Sequence, residues 1–305
     1  MRSRNVRRYG ALLVTAGLVG ALVPAAVPAG AATPAAALAK PSVTARSAAT
    51  YDRTAHKWRY LKQARTRRPI ASITKVMTAY VVLKNARWKK KVTISKAAVA
   101  HARAGGATTA GFRAGEKVTL GQALYGMLLP SGADVAYQLA HDYGRGTGAF
   151  VKKMNAYARK LKMTRTHYVN QDGLPSGRSQ YSTAMDQLRL VNAVLKSTTF
   201  RKVVRTSTYR LRAGSGHRAH TWVNTNRLLG AYRGANGIKT GTTNAAGYCL
   251  AFSAYRSKHT VIGVVLHSSS TTARFSDATR LLNYTYGRRT TTVRLRDLPT
   301  GVRPD

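Results

Sequence analysis

Acidic side chains are nearly missing from this chain: 305 residues hold nine Asp and Glu in all, and Glu116 is its single glutamate. Chemistry that needs paired carboxylates, or a carboxylate cage around a hard cation, has little to work with. Cysteine is almost absent too. Cys249 stands alone, which excludes an internal disulfide, and its setting in Tyr248-Cys249-Leu250-Ala251-Phe252 reads as a buried strand position rather than a reactive thiol. The eight histidines are scattered. His217 and His220, in Gly-His-Arg-Ala-His, lack the glutamate and the helical context of a zinc peptidase and read as loop residues; no metal and no cofactor is expected. No internal repeat is found.

Positive charge is abundant instead. Fifty-one Lys and Arg set the formal net charge at +42. A hydrophobic content of 44% is ordinary for a globular protein, so the chain is expected to fold and not to behave as a basic disordered tail. Such a surface seeks polyanions: nucleic acid, anionic lipid headgroups or the phosphate-bearing polymers of a cell wall. The N-terminus narrows that choice. Arg2, Arg4, Arg7 and Arg8 precede a mostly apolar run from Ala11 to about Ala29, and small residues align at Ala29-Gly30-Ala31 and again at Ala37-Leu38-Ala39. This is the layout of a secretory signal over residues 1–31, with cleavage as late as 39. A retained membrane anchor is the competing reading, weakened by Gly17, Gly20, Pro24 and Pro28. Export favours anionic wall polymers or lipid headgroups over nucleic acid, and places the protein outside the cell, in the wall or at the outer face of the membrane. Removing the four arginines of residues 1–31 still leaves about +38 of the +42.

Residues 32–44, rich in Ala and Pro, read as a disordered lead-in, 45–296 as one domain, and 297–305 as a short tail. Within the domain, 48–51 and 58–61 form a hairpin pattern. Ile73, Val76, Met77, Tyr80, Val81 and Leu83 mark one buried face of a helix beginning near Ser72. Helical patterns follow over 120–129, 134–141, 148–161 and 183–195. Strand patterns occupy 206–211, 248–255 and 260–266, then come a helix over 272–286 and a closing edge strand over 290–295. Strands at both ends with helices between them predict an α+β fold with a helical lobe.

Three short segments carry candidate chemistry. In Ala71-Ser72-Ile73-Thr74-Lys75 a hydroxyl and an amine stand three residues apart at a helix start, so that they meet on one face. A serine hydroxyl is inert at its own pKa, and a partly desolvated lysine can take its proton, while backbone amides at the helix start can receive a developing oxyanion. Alone, this spacing equally suits a solvated helix start. Leu129-Pro130-Ser131-Gly132-Ala133 presents a second serine on a turn, which by itself reads equally as a helix cap. Gly237-Ile238-Lys239-Thr240-Gly241-Thr242-Thr243, ahead of a predicted strand, reads by itself as a Gly-rich turn with a solvated lysine. The order S-x-x-K, S-x-x, K-T-G is the signature set of serine β-lactamases and penicillin-binding proteins.

With Arg68 to Tyr80 around the first motif, and Asp172-Gly173-Leu174 and Ala246-Gly247-Tyr248-Cys249 as linking segments, residues 45–285 resemble the D-alanyl-D-alanine carboxypeptidases among the low-molecular-mass penicillin-binding proteins. The resemblance implies a β-lactamase/transpeptidase-like fold: an antiparallel sheet flanked by helices, with a helical lobe. It implies a serine carboxypeptidase that removes the terminal D-Ala of peptidoglycan stem peptides and is inhibited covalently by β-lactams. Ser72 would be the nucleophile, Lys75 its base and Ser131 the proton relay. Lys239 and Thr240 would hold the substrate carboxylate, and Gly241 and Thr242 would complete that side, the Thr242 amide joining that of Ser72 in the oxyanion hole.

One position departs from the family pattern. The second motif usually ends in Asn, whose amide contacts the lysine and the substrate; Ala133 can do neither. Two alternatives remain at this stage. A class A-like β-lactamase needs a glutamate base, and Glu116 lies before the second motif, where that base is not expected. A non-catalytic cationic wall-binding protein would use the charge alone; its cations are spread along the chain and form no single groove-reading element.

Overall fold

The computed structural model describes residues 11, 13, 38–85, 88–177, 179–289 and 292–302, and residues 38–302 belong to one contact-dense unit. Apart from Ala11 and Leu13, the expected signal segment 1–31 lies outside the described residues, as does 32–37 of the lead-in. No helix among the described residues is long and apolar enough to cross a membrane.

The predicted hairpin is β1 (Ser47–Asp52) and β2 (Lys57–Lys62). Two short antiparallel pairs stand apart from it, β3 (Lys91–Thr93) with β4 (Lys117–Thr119) and β5 (Thr208–Leu211) with β6 (His220–Val223), while beside it lie β7 (Ala235–Thr243), β8 (Gly247–Arg256) and β9 (His259–Ser268), giving a five-stranded antiparallel sheet in the order β2-β1-β9-β8-β7. The central strands are covered on both faces, which is why their sequences read as near-continuous apolar runs. Cys249, Ala251, Ile262, Val264 and Leu266 join one core cluster, whereas Leu250, Phe252, Val261 and Val265 join the other. Helix α6 (Ala184–Val194) packs on the first face and α8 (Ala273–Thr285) on the second. The lone cysteine is buried in β8, as its sequence setting predicts.

Helix α1 (Thr74–Asn85) runs between the sheet and the helical lobe, which comprises α2 (Lys96–Ala104), α3 (Leu120–Leu128), α4 (Ala133–Gly144) and α5 (Thr147–Lys160). Thr119 starts α3 with a capping box to Gln122, and Thr183 caps α6 by accepting from the Asp186 amide. The architecture is the expected α+β fold of antiparallel sheet, flanking helices and helical lobe.

The structure corrects four expectations. The ordered domain begins before residue 45: Val43 is buried, and Thr44 and Ala45 donate to the Asp277 carboxylate at 2.8–2.9 Å, so the end of the lead-in is packed. Residues 292–295 form no strand; Val293 and Leu295 pack as irregular chain against the second cluster, and 290 and 291 lie outside the described residues. The Gly-rich segment 237–243 is itself strand β7, its alternation hidden by small and polar residues. His220 is no loop residue. It begins strand β6 (His220–Val223), is buried, and its Nε2 lies 2.7 Å from Glu116 Oε2.

That contact accounts for the single glutamate. Glu116 also accepts from the backbone amides of Arg113, at 2.8 Å, and Arg218, at 3.3 Å. Burial pushes its pKa up, but these amides and His220 outweigh it and hold the carboxyl below the usual glutamate value.

Candidate active site

Ser72 lies in the 3-10 turn Ala71–Ile73, which leads directly into α1. The turn and the first helical turn bring Ser72 Oγ within 3.0 Å of Lys75 Nζ. Both residues are buried, Lys75 to 1% exposure, so its amine is held away from bulk water. The same amine donates to the backbone carbonyl of Asp172 at 2.9 Å. A buried amine within hydrogen-bond reach of a hydroxyl is an arrangement in which the neutral amine can take the hydroxyl's proton.

Two close backbone approaches surround Ser72. A Cβ at Gly241 would stand 2.9 Å from the Ser72 amide nitrogen and 3.0 Å from that of Ile73, so strand β7 reaches the serine turn only because this residue is glycine. At Gly173, with φ +89°, a Cβ would collide with the Ala71 carbonyl. Gly241 is the glycine of the third motif, so the motif's spacing has a packing cause as well as a chemical one. β7 is one of the two edge strands of the sheet, and it lies against the serine turn.

The second motif arrives from the helical lobe. Ser131 adopts φ +70°, a left-handed conformation uncommon for serine, at the turn between α3 and α4. Its hydroxyl is buried and has no hydrogen-bond partner among the described residues. The turn is fixed by Thr108, whose hydroxyl donates to the Ser131 carbonyl at 3.0 Å and whose carbonyl accepts from the Ala133 amide at 2.9 Å. Ala133 is the first residue of α4 and is fully buried.

The second and third motifs are tied by a residue the sequence did not single out. Thr225 donates its amide to the Leu129 carbonyl at 3.3 Å, and its hydroxyl lies 2.6 Å from that of Thr240. Lys239 is buried, its Nζ donating to the Thr240 carbonyl at 2.9 Å. Thr242 Oγ1 accepts from Arg274 Nη1 at 3.0 Å, and Arg274 is fully buried, with its guanidinium 5.1 Å from the centre of the Phe275 ring. Arg274 was legible only as one of fifty-one cations in a predicted helix. Asp172 and Gly173 were visible as a linking segment; their role beside Lys75 was not.

The Asp172 carboxylate is buried behind the lysine. Burial raises its pKa, but the hydrogen bond from His101, the charge of Lys75 and the Leu174 amide prevail and hold it below the usual aspartate value. His101 Nε2 lies 2.6 Å from Asp172 Oδ2.

All seven predicted residues, Ser72, Lys75, Ser131, Lys239, Thr240, Gly241 and Thr242, therefore belong to one connected set of elements: the serine turn, α1, the α3–α4 turn and β7. Glu116 makes its bonds to Arg113, Arg218 and His220, none of which belongs to that set.

Comparison with known proteins adds lineage to this geometry. A family model described as D-alanyl-D-alanine carboxypeptidase, peptidase S11, matches residues 34–270. The D-alanyl-D-alanine carboxypeptidase of Streptomyces sp. strain K15 is 42% identical over 292 residues, spanning 92% of this chain and 98% of that protein. The carboxypeptidase DacF of Bacillus subtilis strain 168 is 32% identical over 79% of this chain and 62% of its own length. The crystal structure of the Streptomyces K15 DD-transpeptidase superposes with a TM-score of 0.78 at 41% identity, covering 82% of this chain and all of that one. The carboxypeptidase DacD of Francisella tularensis gives 0.75 at 28% identity, over 84% of this chain and 74% of that one.

Proposed function

The chain belongs to the D-alanyl-D-alanine carboxypeptidase family of serine peptidases, and on that premise we propose that it removes the terminal D-Ala of peptidoglycan stem peptides through an acyl-enzyme on Ser72. The observation that carries the reading is the buried 3.0 Å contact between Ser72 Oγ and Lys75 Nζ. Lys75 takes the hydroxyl proton as Oγ bonds to the carbonyl carbon between the two D-alanines. The C–N bond then breaks, and the Ser131 hydroxyl passes a proton to the departing amine. Water cleaves the ester and frees Ser72. Backbone amides of Ser72 and Thr242 receive the oxyanion, and Lys239 and Thr240 bind the terminal carboxylate. As an edge strand, β7 has backbone groups with which an extended peptide can pair.

A β-lactam resembles the scissile dipeptide and acylates the same hydroxyl. Labelling with a fluorescent penicillin, followed by mapping of the modified peptide, should mark Ser72, and Ser72→Ala should abolish the label in a protein that still melts cooperatively. Label on another residue, or persisting in the variant, would place the nucleophile elsewhere. Release of free D-Ala from a D-Ala-D-Ala peptide, measured with and without an added amine, reads the acyl acceptor in the same preparation.

The surplus charge supports a second part of the proposal: the protein acts outside the cell and is retained on anionic wall polymers. Exposed charges are screened over a Debye length of about 10 Å at 0.1 M salt, whereas contacts inside a desolvated cleft are screened far less. Salt should strip the protein from isolated walls before it slows acylation by penicillin. Wall binding that survives molar salt and disappears on deletion of residues 1–39 would assign retention to an N-terminal anchor and not to charge.

A further inference from the structure

Asp172 touches Lys75 directly, and His101 is the side chain that holds the Asp172 carboxylate from the helical lobe. It occupies the last turn of α2, in the helical lobe, with its side chain 29% exposed. Its Nε2 lies 2.6 Å from Asp172 Oδ2, and an ionised carboxylate only accepts, so this nitrogen carries the proton. The neighbouring Gln171 amide, 3.3 Å from the same nitrogen, therefore directs its N–H to Asp172 Oδ2, 3.2 Å away. The Tyr137 ring of α4 lies against the imidazole, centroids 4.9 Å apart. Among the described residues, the groups that face His101 are Asp172 and Gln171 from the loop and the Tyr137 phenol from α4, with Lys75 of α1 on the far side of Asp172.

The carboxylate that His101 holds belongs to a segment that grips α1 through its backbone. The Gln171 carbonyl accepts from Thr78 Oγ1 at 2.5 Å and the Asp172 carbonyl from Lys75 Nζ at 2.9 Å, contacts one helical turn apart. The loop is closed by Asn170 Oδ1, which accepts from the Gly173 amide at 2.7 Å, and by Asp172 Oδ1, which accepts from the Leu174 amide at 3.0 Å. Asp172 is fully buried. Its negative charge favours the ammonium form of Lys75, which is the wrong form for a base. A strong, short donation from His101 draws that charge away from Lys75 and fixes the carbonyl that aims the amine.

We propose that His101 is a positioning residue for the acylation step: through Asp172 it sets both the aim and the basicity of Lys75, so that the helical lobe and the nucleophile turn act as one unit. The proposal rests on Ser72 and Lys75 being nucleophile and base, and its test keeps the two readings apart.

The experiment measures the second-order rate of penicillin acylation against pH for wild type, His101→Ala and His101→Gln, with the fraction of active sites titrated in each. In wild type, label on Ser72 secures the underlying reading; label elsewhere defeats that reading before His101 is considered. His101→Ala should lower the neutral-pH rate about tenfold and move the ascending limb of the profile to higher pH, because the carboxylate turns its full charge on Lys75. His101→Gln keeps an N–H for Asp172 and should recover most of the rate and the original limb. KM for a D-Ala-D-Ala peptide should change little in either variant. A merely structural role would lower the titratable fraction and the melting temperature while leaving the limb in place. An unmoved limb in His101→Ala overturns the proposal, as does failure of glutamine to rescue in a fully titratable protein.

Discussion

Replacing Gly241 by alanine tests the central claim about the site, that strand β7 and the serine turn touch through backbone. The added Cβ would lie 2.9 Å from Ser72 N, 3.0 Å from Ile73 N and 3.1 Å from the Ile70 carbonyl oxygen. All three are main-chain atoms of a buried turn, so no flexible side chain can move aside. Overpacking of this kind costs about 1–3 kcal/mol. For a domain of this size each kcal/mol lowers the melting temperature by about 2–4 °C, so a fall of roughly 2–12 °C is expected. The kinetic effect should be larger than the thermal one, because the displaced atoms include an amide assigned to the oxyanion hole. Misplacing a reacting group by about 1 Å can cost about a hundredfold, and a shift of a few tenths of an ångström should slow acylation by about tenfold or more. Gly148→Ala is the control. It lies in α5 with nothing within 4 Å of the added methyl, so acylation should be unchanged and stability equal or slightly greater. The assays are thermal unfolding and the initial rate of labelling by a fluorescent penicillin. A Gly241→Ala variant with wild-type melting temperature and labelling rate would show that β7 does not approach the serine turn as described.

Three further outcomes follow from particular residues. Lys75→Ala should slow penicillin acylation by about two to four orders of magnitude, the usual span for loss of a general base, and near-normal labelling would remove Lys75 from that role. Ala133→Asn restores the amide that the family pattern places there; turnover of a D-Ala-D-Ala peptide should rise, or stay level if water already fills the gap, and a large loss would mean that the α3–α4 turn is rebuilt around alanine. Glu116 has a depressed folded-state pKa, so its stabilisation is fully present above the ordinary glutamate value of 4.5 and is lost as pH falls through the lower folded value. Wild type should therefore exceed Glu116→Gln in stability at neutral pH, and the gap measured by denaturant unfolding should close in acid; a gap independent of pH would contradict the role given to Arg113, Arg218 and His220.

What the sequence made legible divides along a physical line. The faces of α1, α3, α4, α5, α6 and α8 are marked by large apolar residues at helical spacing, and β8 and β9 by dense apolar runs, so local pattern was enough. Helix α2 escaped because the two residues it buries, Ala98 and Ala102, are small, and alanine gives the helical period almost no contrast. β7 escaped for a related reason: Gly241 is required by contact with Ser72, and Lys239, Thr240 and Thr242 are polar, so the strand shows no apolar alternation. His220 was misread because its partner, Glu116, is 104 residues away, and no local period reports such a pair.

The same distinction separates the motif residues from the residues that hold them. Ser72 and Lys75 lie three residues apart, so one turn of chain brings them together and the motif can be read directly. Thr225 to Thr240, Lys75 to Asp172 and His101 to Asp172 close over 15, 97 and 71 residues. Each of these contacts joins a different pair of elements, and each uses a residue type that is common in loops. Short-range spacing therefore identifies the candidate pair, while the folded chain alone shows what surrounds it: a carbonyl and a carboxylate from one loop, and an imidazole from α2, behind a lysine that has been taken out of water.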